Sequence, residues 1–451
     1  MHDSNDNNPK VMIVGAGIGG LMLALLLEKA GIRYDVFERS ATLKPYGGGM
    51  TVGPNILPVF EQLGLYEEIL NISLRGRTMD IYTEDMIMIG SFGSQDYRDL
   101  GYDGLLFSRP QLHALLLSKV PRSRIHYGKR MLSIRQGGNG VLIRCADGGT
   151  HEGDILVGAD GANSAVRQNL YEQLQKEKTL PLNDTFSMNV GYSCLVGTTD
   201  SLDLEKYAVL KEDFSSFAVV TAKDKPHSWT TITVPDKKIT WGVVVQLQSR
   251  EDTTLRNSDW SSESIDSTIA QVAHHKVPFG GTLGDLIEAT PKDLISKVYL
   301  EEKLFETWSH ERVVLIGDAC HKMLPSSGQG AINAMQDAVI LANCLYDLKS
   351  TSLEDVDAAL KDYKEQRYPH AKQQVGISST TGKILYGQTW NERLWRKVVF
   401  SLRFKWFERI VLAKTLAYRP QATFLPWAEK RGTLPIMPQQ ISTRYKNIAS
   451  F

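Results

Sequence analysis

The chain has 451 residues, a length at which roughly two or three folded units are expected, and its 42% hydrophobic and 23% charged content is that of a globular protein. These proportions exclude wholesale disorder and low-complexity architecture. The 51 Lys and Arg balance the 51 Asp and Glu, so no chain-wide field draws the protein to nucleic acid or anionic lipid, and any charged site must be local. The cysteines, Cys145, Cys194, Cys320 and Cys344, stand far apart with no C-x-x-C pair. That spacing argues against a zinc ribbon, a redox dithiol or a disulfide-stapled secreted fold, and for a reducing compartment.

From the amino end, the apolar run Val11 to Leu27 has the hydropathy of a signal peptide or short membrane span, but its head is acidic (Asp3, Asp6) and glycines break it at 15, 17, 19 and 20. It reads instead as a strand turning tightly into a helix. A strand at Lys10 to Val14, a helix at Leu21 to Lys29 ended by Gly31, and a strand at Tyr34 to Glu38 make one βαβ unit. Gly15-Ala16-Gly17-Ile18-Gly19-Gly20 fits G-x-G-x-x-G, whose glycines let a pyrophosphate approach the helix N-terminus, with Glu38 placed to accept from ribose hydroxyls. This motif fits FAD and NAD alike, and a glycine-rich turn that binds nothing is the bland alternative.

Between about 75 and 155 short strands surround a helix at Pro110 to Lys119, and Gly137-Gly138-Asn139-Gly140 marks a hairpin. From about 181 to 250, alternating segments such as Phe217 to Thr221, Trp229 to Val234 and Trp241 to Leu247 predict a mainly β region, and Ser249 to Ser267 reads as a loop or helix start. A strand at Val313 to Ile316 feeds the richest motif. Beyond about 333 the pattern is helical up to a proline-containing tail from Pro420. No stretch reaches the roughly 18 uninterrupted apolar residues of a spanning helix.

Two further motifs carry a resemblance. Val157-Gly158-Ala159-Asp160-Gly161 through Arg167 resembles a "DG" motif, and Gly317-Asp318-Ala319-Cys320-His321 through Pro325 and Gly328-Gln329-Gly330 to Asn333 and Asp337 resembles a "GD" motif. With the first glycines they resemble single-component FAD-dependent monooxygenases of the aromatic hydroxylase class, of the fungal secondary-metabolism type, over roughly residues 10–345. The resemblance implies an α/β fold: a Rossmann-like FAD-binding domain with an inserted mainly β substrate domain and a helical C-terminus. The boundaries expected are 1–180 and 281–345 for the two parts of the FAD-binding domain, 181–280 for the β-rich substrate domain, and 346–451 for the helical region.

The resemblance implies cofactor binding by Gly15, Gly17, Gly20, Glu38 and Arg39, by Gly49 near the flavin, and by Arg109 near the pyrophosphate and ribityl chain. It adds Asp160 in support, Asp318 as acceptor from a ribityl hydroxyl, and Pro325, Gly328, Gly330 and Ala331 around the flavin ring. A helix opening near Gly330 aims free N–H groups at the N1–C2=O edge that is anionic in reduced flavin. Helix capping by Asp318, a structural His321, and Asp160 and Arg167 that only orient their loop are the alternatives.

The implied function is an FAD-dependent monooxygenase that uses NADPH or NADH and O2 to hydroxylate or epoxidise a small apolar or aromatic molecule through a flavin C4a-hydroperoxide. No metal, nucleic-acid partner or Ser-His-Asp constellation is expected, and neighbouring His274-His275 diverge too far to share a metal. Tyr192, Tyr207, Phe217 and Trp229 are candidate substrate walls, and Tyr192, in Tyr192-Ser193-Cys194, is the catalytic candidate; many fungal members carry a basic residue beside this tyrosine. Interleaved aromatic and basic residues from Trp390 to Lys414 describe either a membrane-surface helix or a helix packed on the FAD domain. The location expected is cytoplasmic, with peripheral membrane contact as the variant. The rival functions are a flavin-dependent reductase or desaturase of an isoprenoid and a non-catalytic flavin-binding module; no W-x-W-x-I-P halogenase signature is present.

Overall fold

The computed structural model describes residues 8–43, 47–92, 97–138, 140–223, 226–247, 262–387, 389–401 and 414–444. Asn139 at the hairpin tip, 249–261 of the polar stretch and 402–413 of the basic aromatic run lie outside the described residues.

The first strand, Lys10–Val14, is buried along its apolar face and lies parallel between Ile155–Gly158 and Arg33–Phe37. Strands buried on both faces need helices above and below, and the following helix Ile18–Ala30, buried along almost its whole first two turns, supplies one layer. Gly31 ends that helix in the left-handed region at φ 67°, donating to Glu28 O. Among the described residues this sheet runs Ser309–His310, Val313–Leu315, Ile155–Gly158, Lys10–Val14, Arg33–Phe37, Ile125–His126. Its central strands come from three separated parts of the chain, so the glycine, DG and GD loops all leave the same carboxyl edge, where ligands of open α/β sheets sit. The predicted hairpin is present: Met131–Gly137 pairs antiparallel with Gly140–Cys145.

Among the described residues the second sheet has ten strands. Asn189–Thr198, Lys238–Gln246, His227–Val234 and Phe214–Thr221 form its centre, and Phe214–Thr221 pairs in parallel with Leu74–Thr83. Gly49–Val52, Met88–Phe92 and Gly104–Ser108 extend it on that side, and Ser296–Leu304 and His321–Lys322 on the other. One face carries Leu195, Val220, Trp229, Ile239, Trp241 and Val243, covered by helices Ser262–Val272 and Leu283–Glu288. The opposite face looks toward the first sheet's carboxyl edge.

A 34-residue helix, Leu353–Tyr386, about 50 Å long at 1.5 Å per residue, ties the two sheets together. Its first half packs into the first core and donates from Tyr363 OH to Leu315 O at 3.1 Å; near its end Leu385 O accepts from Ser228 Oγ at 3.2 Å. Helix Trp390–Ser401 follows. Arg396 turns inward from it and donates to Ile384 O at 2.7 Å and to Gly387 O, satisfying carbonyls at the long helix's end, while Trp390, Leu394 and Trp395 are exposed. The tail is held by paired carboxamide bonds, Gln62 with the backbone of Ala422 and Asn343 with that of Gln421 and Thr423. Among the described residues no helix is long and apolar enough to cross a membrane.

Candidate active site

A cavity of about 3130 Å³ opens between the two sheets and the long helix. Ligand pockets run to roughly 1,000 Å³, so this one has room for a dinucleotide and a second molecule. Of the cofactor residues expected from sequence, Gly17, Arg39, Gly49, Arg109, Asp318, Pro325, Gly328, Gly330 and Ala331 line it. The others support the wall from behind. Gly15, at φ +108°, and Gly20 allow close packing, since a Cβ on Gly15 would stand 2.5 Å from Ala159 O and one on Gly20 2.1 Å from Gly15 O. Glu38 is buried and accepts from Ala16 N–H at 3.0 Å and Ser40 N–H at 2.8 Å, which fixes the glycine turn.

Asp160 accepts from Ser164 Oγ at 2.5 Å and from the N–H groups of Ala165 and Val166 at 2.7 and 3.2 Å. Its Oδ2 thus satisfies the first N–H groups of helix Ala165–Lys176 while Oδ1 holds the N-cap Ser164, and its neighbours Ala159 and Gly161 form the cavity wall. Arg167 joins the loops: its guanidinium donates to Ala162 O at 2.6 Å and to Ala319 O at 3.0 Å, linking the DG and GD segments.

The donor set fits FAD. Helices Ile18–Ala30 and Gly330–Tyr346 both begin without a side-chain cap, at Gly17 and Gln329, and both N-termini line the cavity. Such ends bind anionic groups with backbone N–H and the positive end of the helix dipole. Asp318 pairs with Lys322; burial pushes its carboxyl up, but Lys322, His321 and Arg109 outweigh burial and hold it below the usual carboxylate range. It is therefore a charged acceptor at neutral pH.

Behind the GD loop lies a buried network that sequence reading did not assemble. Asp337 accepts from Gly317 N–H at 2.8 Å, His321 Nε2 at 2.6 Å and Arg367 Nε at 2.7 Å, and Arg367 also donates to Asn333 Oδ1 at 3.0 Å. Cys320, His321 and Asp337 have atoms close enough to hold a metal ion, yet the Arg367 cation already occupies one Asp337 oxygen. The arrangement is a loop anchor. The spacing Asp337, Arg367 crosses two helices and gives no local signal.

On the second sheet, alternation decides which residues meet the cavity. Cys194, Phe217, Val219, Ile232, Val244 and Leu300 line it, whereas Trp229 and Tyr207 pack on the far face, with the Trp229 ring stacked 4.3 Å from His275. Phe217 is thus the one of four candidate wall aromatics that the structure places in the wall. Tyr192 is buried edge-on against Tyr386, ring centres 5.8 Å apart, and Tyr386 is the member of the pair that lines the cavity. Burial pushes the Tyr192 hydroxyl up to about 12. The long helix's contribution, from Gln373 to Tyr386, was not anticipated, because nothing local marks which face of an amphipathic helix meets a ligand.

Comparison with known proteins agrees with this geometry. The family described as FAD binding domain matches residues 8–378, and the chain belongs to it. A relative from Aspergillus calidoustus, the FAD-dependent monooxygenase ausM, is 30% identical over 439 residues, 94% of this chain and 90% of that protein. The protein of the same name from Emericella nidulans is 29% identical over 441 residues, 94% and 88% of the two chains. Among solved structures, Klebsiella pneumoniae HpxO complexed with FAD and uric acid matches with a TM-score of 0.73 at 22% identity, covering 92% of this chain and all of that one. The protein is an FAD-dependent monooxygenase, an oxidoreductase with FAD as its cofactor.

Proposed function

We propose that the protein hydroxylates or epoxidises an apolar or aromatic molecule, consuming O2 and NAD(P)H and releasing NAD(P)+ and water. One oxygen atom goes to the substrate; the other, with two protons and the two electrons of the nicotinamide, becomes water. Bound FAD, once reduced, supplies the activation of O2. The single observation that carries the reading is the chamber wall: Cys194, Phe217, Val219, Ile232, Val244 and Leu300 face the GD loop across one cavity.

The chain's own residues do the remaining work. Arg39 and Arg109 supply positive charge along the dinucleotide path, and Asp318 accepts from a sugar-chain hydroxyl. N–H groups at Gly330 and Ala331 favour the anionic edge of the reduced cofactor. The ends of the long helix and of Trp390–Ser401, pinned by Arg396, cover the chamber and keep water from the reacting centre. Tyr192, outside the cavity lining, acts on the substrate through Tyr386, which packs edge-on against it and lines the cavity.

Stopped-flow reduction by NADPH with a panel of phenols, indoles and isoprenoids, followed by mixing with 18O2, tests the proposal. A substrate that accelerates reduction and yields product carrying one 18O atom supports it. Anaerobic saturation of a double bond by NADPH would overturn it in favour of a reductase.

A further inference from the structure

The cavity wall is of two kinds. Leu324, at the start of the loop that precedes helix Gly330–Tyr346, packs into the apolar cluster with Cys194, Leu300, Leu385 and Tyr386. Elsewhere uncharged polar groups stand in the same wall. Asn55, 1% exposed, donates from Nδ2 to Gln329 Oε1 at 3.1 Å and leaves Oδ1 without a partner. Gln374, 0% exposed, reaches Thr415 Oγ1 at 3.4 Å with Nε2 and leaves Oε1 without one. The buried hydroxyl of Ser327 is also unpartnered. Asn55, Ser327 and Gln374 all line the cavity. Exchanging the N and O of either amide moves the orphan to its other atom and does not remove it.

The three converge because of the long helix's register. Arg367, Gln374, Ser378 and Gly382 lie on one face of it at spacings of seven, four and four. Arg367 reaches Asn333, Ser378 O accepts from Ser326 Oγ at 2.6 Å, and a Cβ on Gly382 would stand 2.8 Å from Leu324. Gln374 therefore falls opposite the turn 327–330, where Gln329 holds Asn55.

Buried polar groups without partners are rare, and a set of them facing a cavity defines the ligand that completes them. Here the ligand must be neutral, because no cation or free carboxylate belongs to the set. It must offer N–H or O–H donors, and it must lie beside the N-terminus of helix Gly330–Tyr346. A primary carboxamide on a flat ring meets each condition. We propose that the recess framed by Asn55, Ser327 and Gln374 receives the carboxamide of the dihydronicotinamide that reduces the flavin, an inference that rests on the reading of the chain as an NAD(P)H-driven monooxygenase. The nicotinamide C4–H bond breaks, the hydride with its two electrons passes to the flavin, and NAD(P)+ leaves. The carboxamide contacts set the ring's position and take no part in the transfer. The chain thereby docks a nicotinamide without a second dinucleotide fold.

The test is anaerobic stopped-flow reduction of the FAD-loaded protein by NADPH and by reduced 3-acetylpyridine adenine dinucleotide phosphate, in which a methyl replaces the amide NH2. In Gln374→Met, and separately in Asn55→Leu, the NADPH concentration for half-maximal reduction rate is expected to rise about tenfold, the scale of one lost buried hydrogen bond. The value for the acetylpyridine analogue should stay within about twofold of wild type, as should FAD affinity, the rate of light-driven reduction and the spectral response to apolar substrates. Equal losses for both donors, or an unchanged NADPH value in both variants, overturn the assignment. A loss of substrate response with NADPH unaffected also overturns it, by making the recess part of the substrate chamber. Wild-type protein that light reduces but neither NADPH nor NADH does would sink the monooxygenase reading itself.

Discussion

Asp318 is the acceptor on which cofactor retention should depend most directly. It lines the cavity with about a third of its side chain exposed, 33%, and Lys322, with His321 and Arg109 nearby, keeps it ionised. A hydrogen bond to a charged group is worth about 1.5–3 kcal/mol, so its removal in Asp318→Ala corresponds to an FAD dissociation constant raised about 10- to 150-fold. Asp318→Asn keeps an acceptor oxygen without the charge, and a neutral bond of about 1 kcal/mol leaves it between wild type and the alanine variant. Lys322 remains 24% exposed, so water compensates for its lost partner and the apoprotein's stability changes little. Titrating apoprotein with FAD and following the quenching of flavin fluorescence gives the constants; urea unfolding of the apoproteins checks the fold. An alanine variant within twofold of wild type, with unchanged unfolding, would refute the assignment of Asp318 as a cofactor ligand.

Arg367→Met should lower stability by about 3–5 kcal/mol, because it leaves Asp337 charged in a fully buried site, and the double variant with Asp337→Leu should recover part of the loss. Urea midpoints decide this, and a single-variant cost below about 1 kcal/mol contradicts the anchor role. Burial, with Arg367 beside it, pushes the His370 imidazole down to about 3. The unfolded chain therefore binds a proton that the folded one refuses between about pH 6.5 and 3, so stability is full above that window and falls by up to about 1.4 kcal/mol per pH unit on acidification within it. His370→Phe should flatten that slope in unfolding measured from pH 7 to 5; an unaltered slope assigns acid sensitivity elsewhere. Cys194→Trp should fill the apolar chamber, abolishing substrate binding while FAD retention and light-driven reduction persist; undiminished substrate-induced spectral change would show that the chamber lies elsewhere.

What could be read from sequence was whatever backbone geometry writes as residue type. Gly15 at φ +108° and Gly317 at φ +62° stand where a side chain would strike Ala159 O or Ala334, so only glycine serves, and the spacing of such positions along strand, turn and helix is a local signal. The chamber wall has no such signature. Whether Trp229 or Thr230 faces the substrate depends on strand register, and a shift of one residue exchanges every side chain between faces. Register here is set by non-local pairing, including the parallel match of Phe214–Thr221 with Leu74–Thr83, nearly 140 residues away. Trp229 went to the face covered by two helices, where its bulk fills a core, and on the cavity face Phe217 stands among the smaller Cys194, Val219, Ile232 and Val244. Strand composition by itself ranks the two faces the other way, because aromatic residues draw attention as ligand walls.

The three motifs act as one construction. Ala159 O packs against Gly15, Arg167 grips the carbonyls of Ala162 and Ala319, and Asp337 accepts the Gly317 N–H. Each loop is thus positioned by a neighbour from another part of the chain. Glu38 accepts from the backbone of Ala16 in the glycine loop, Asp160 from that of Ala165 after the DG turn, and Arg167 donates to carbonyls of both the DG and the GD loops. A resemblance spread over three distant motifs is, in this chain, the sequence trace of one set of loops that must fit one another before any of them can fit a ligand.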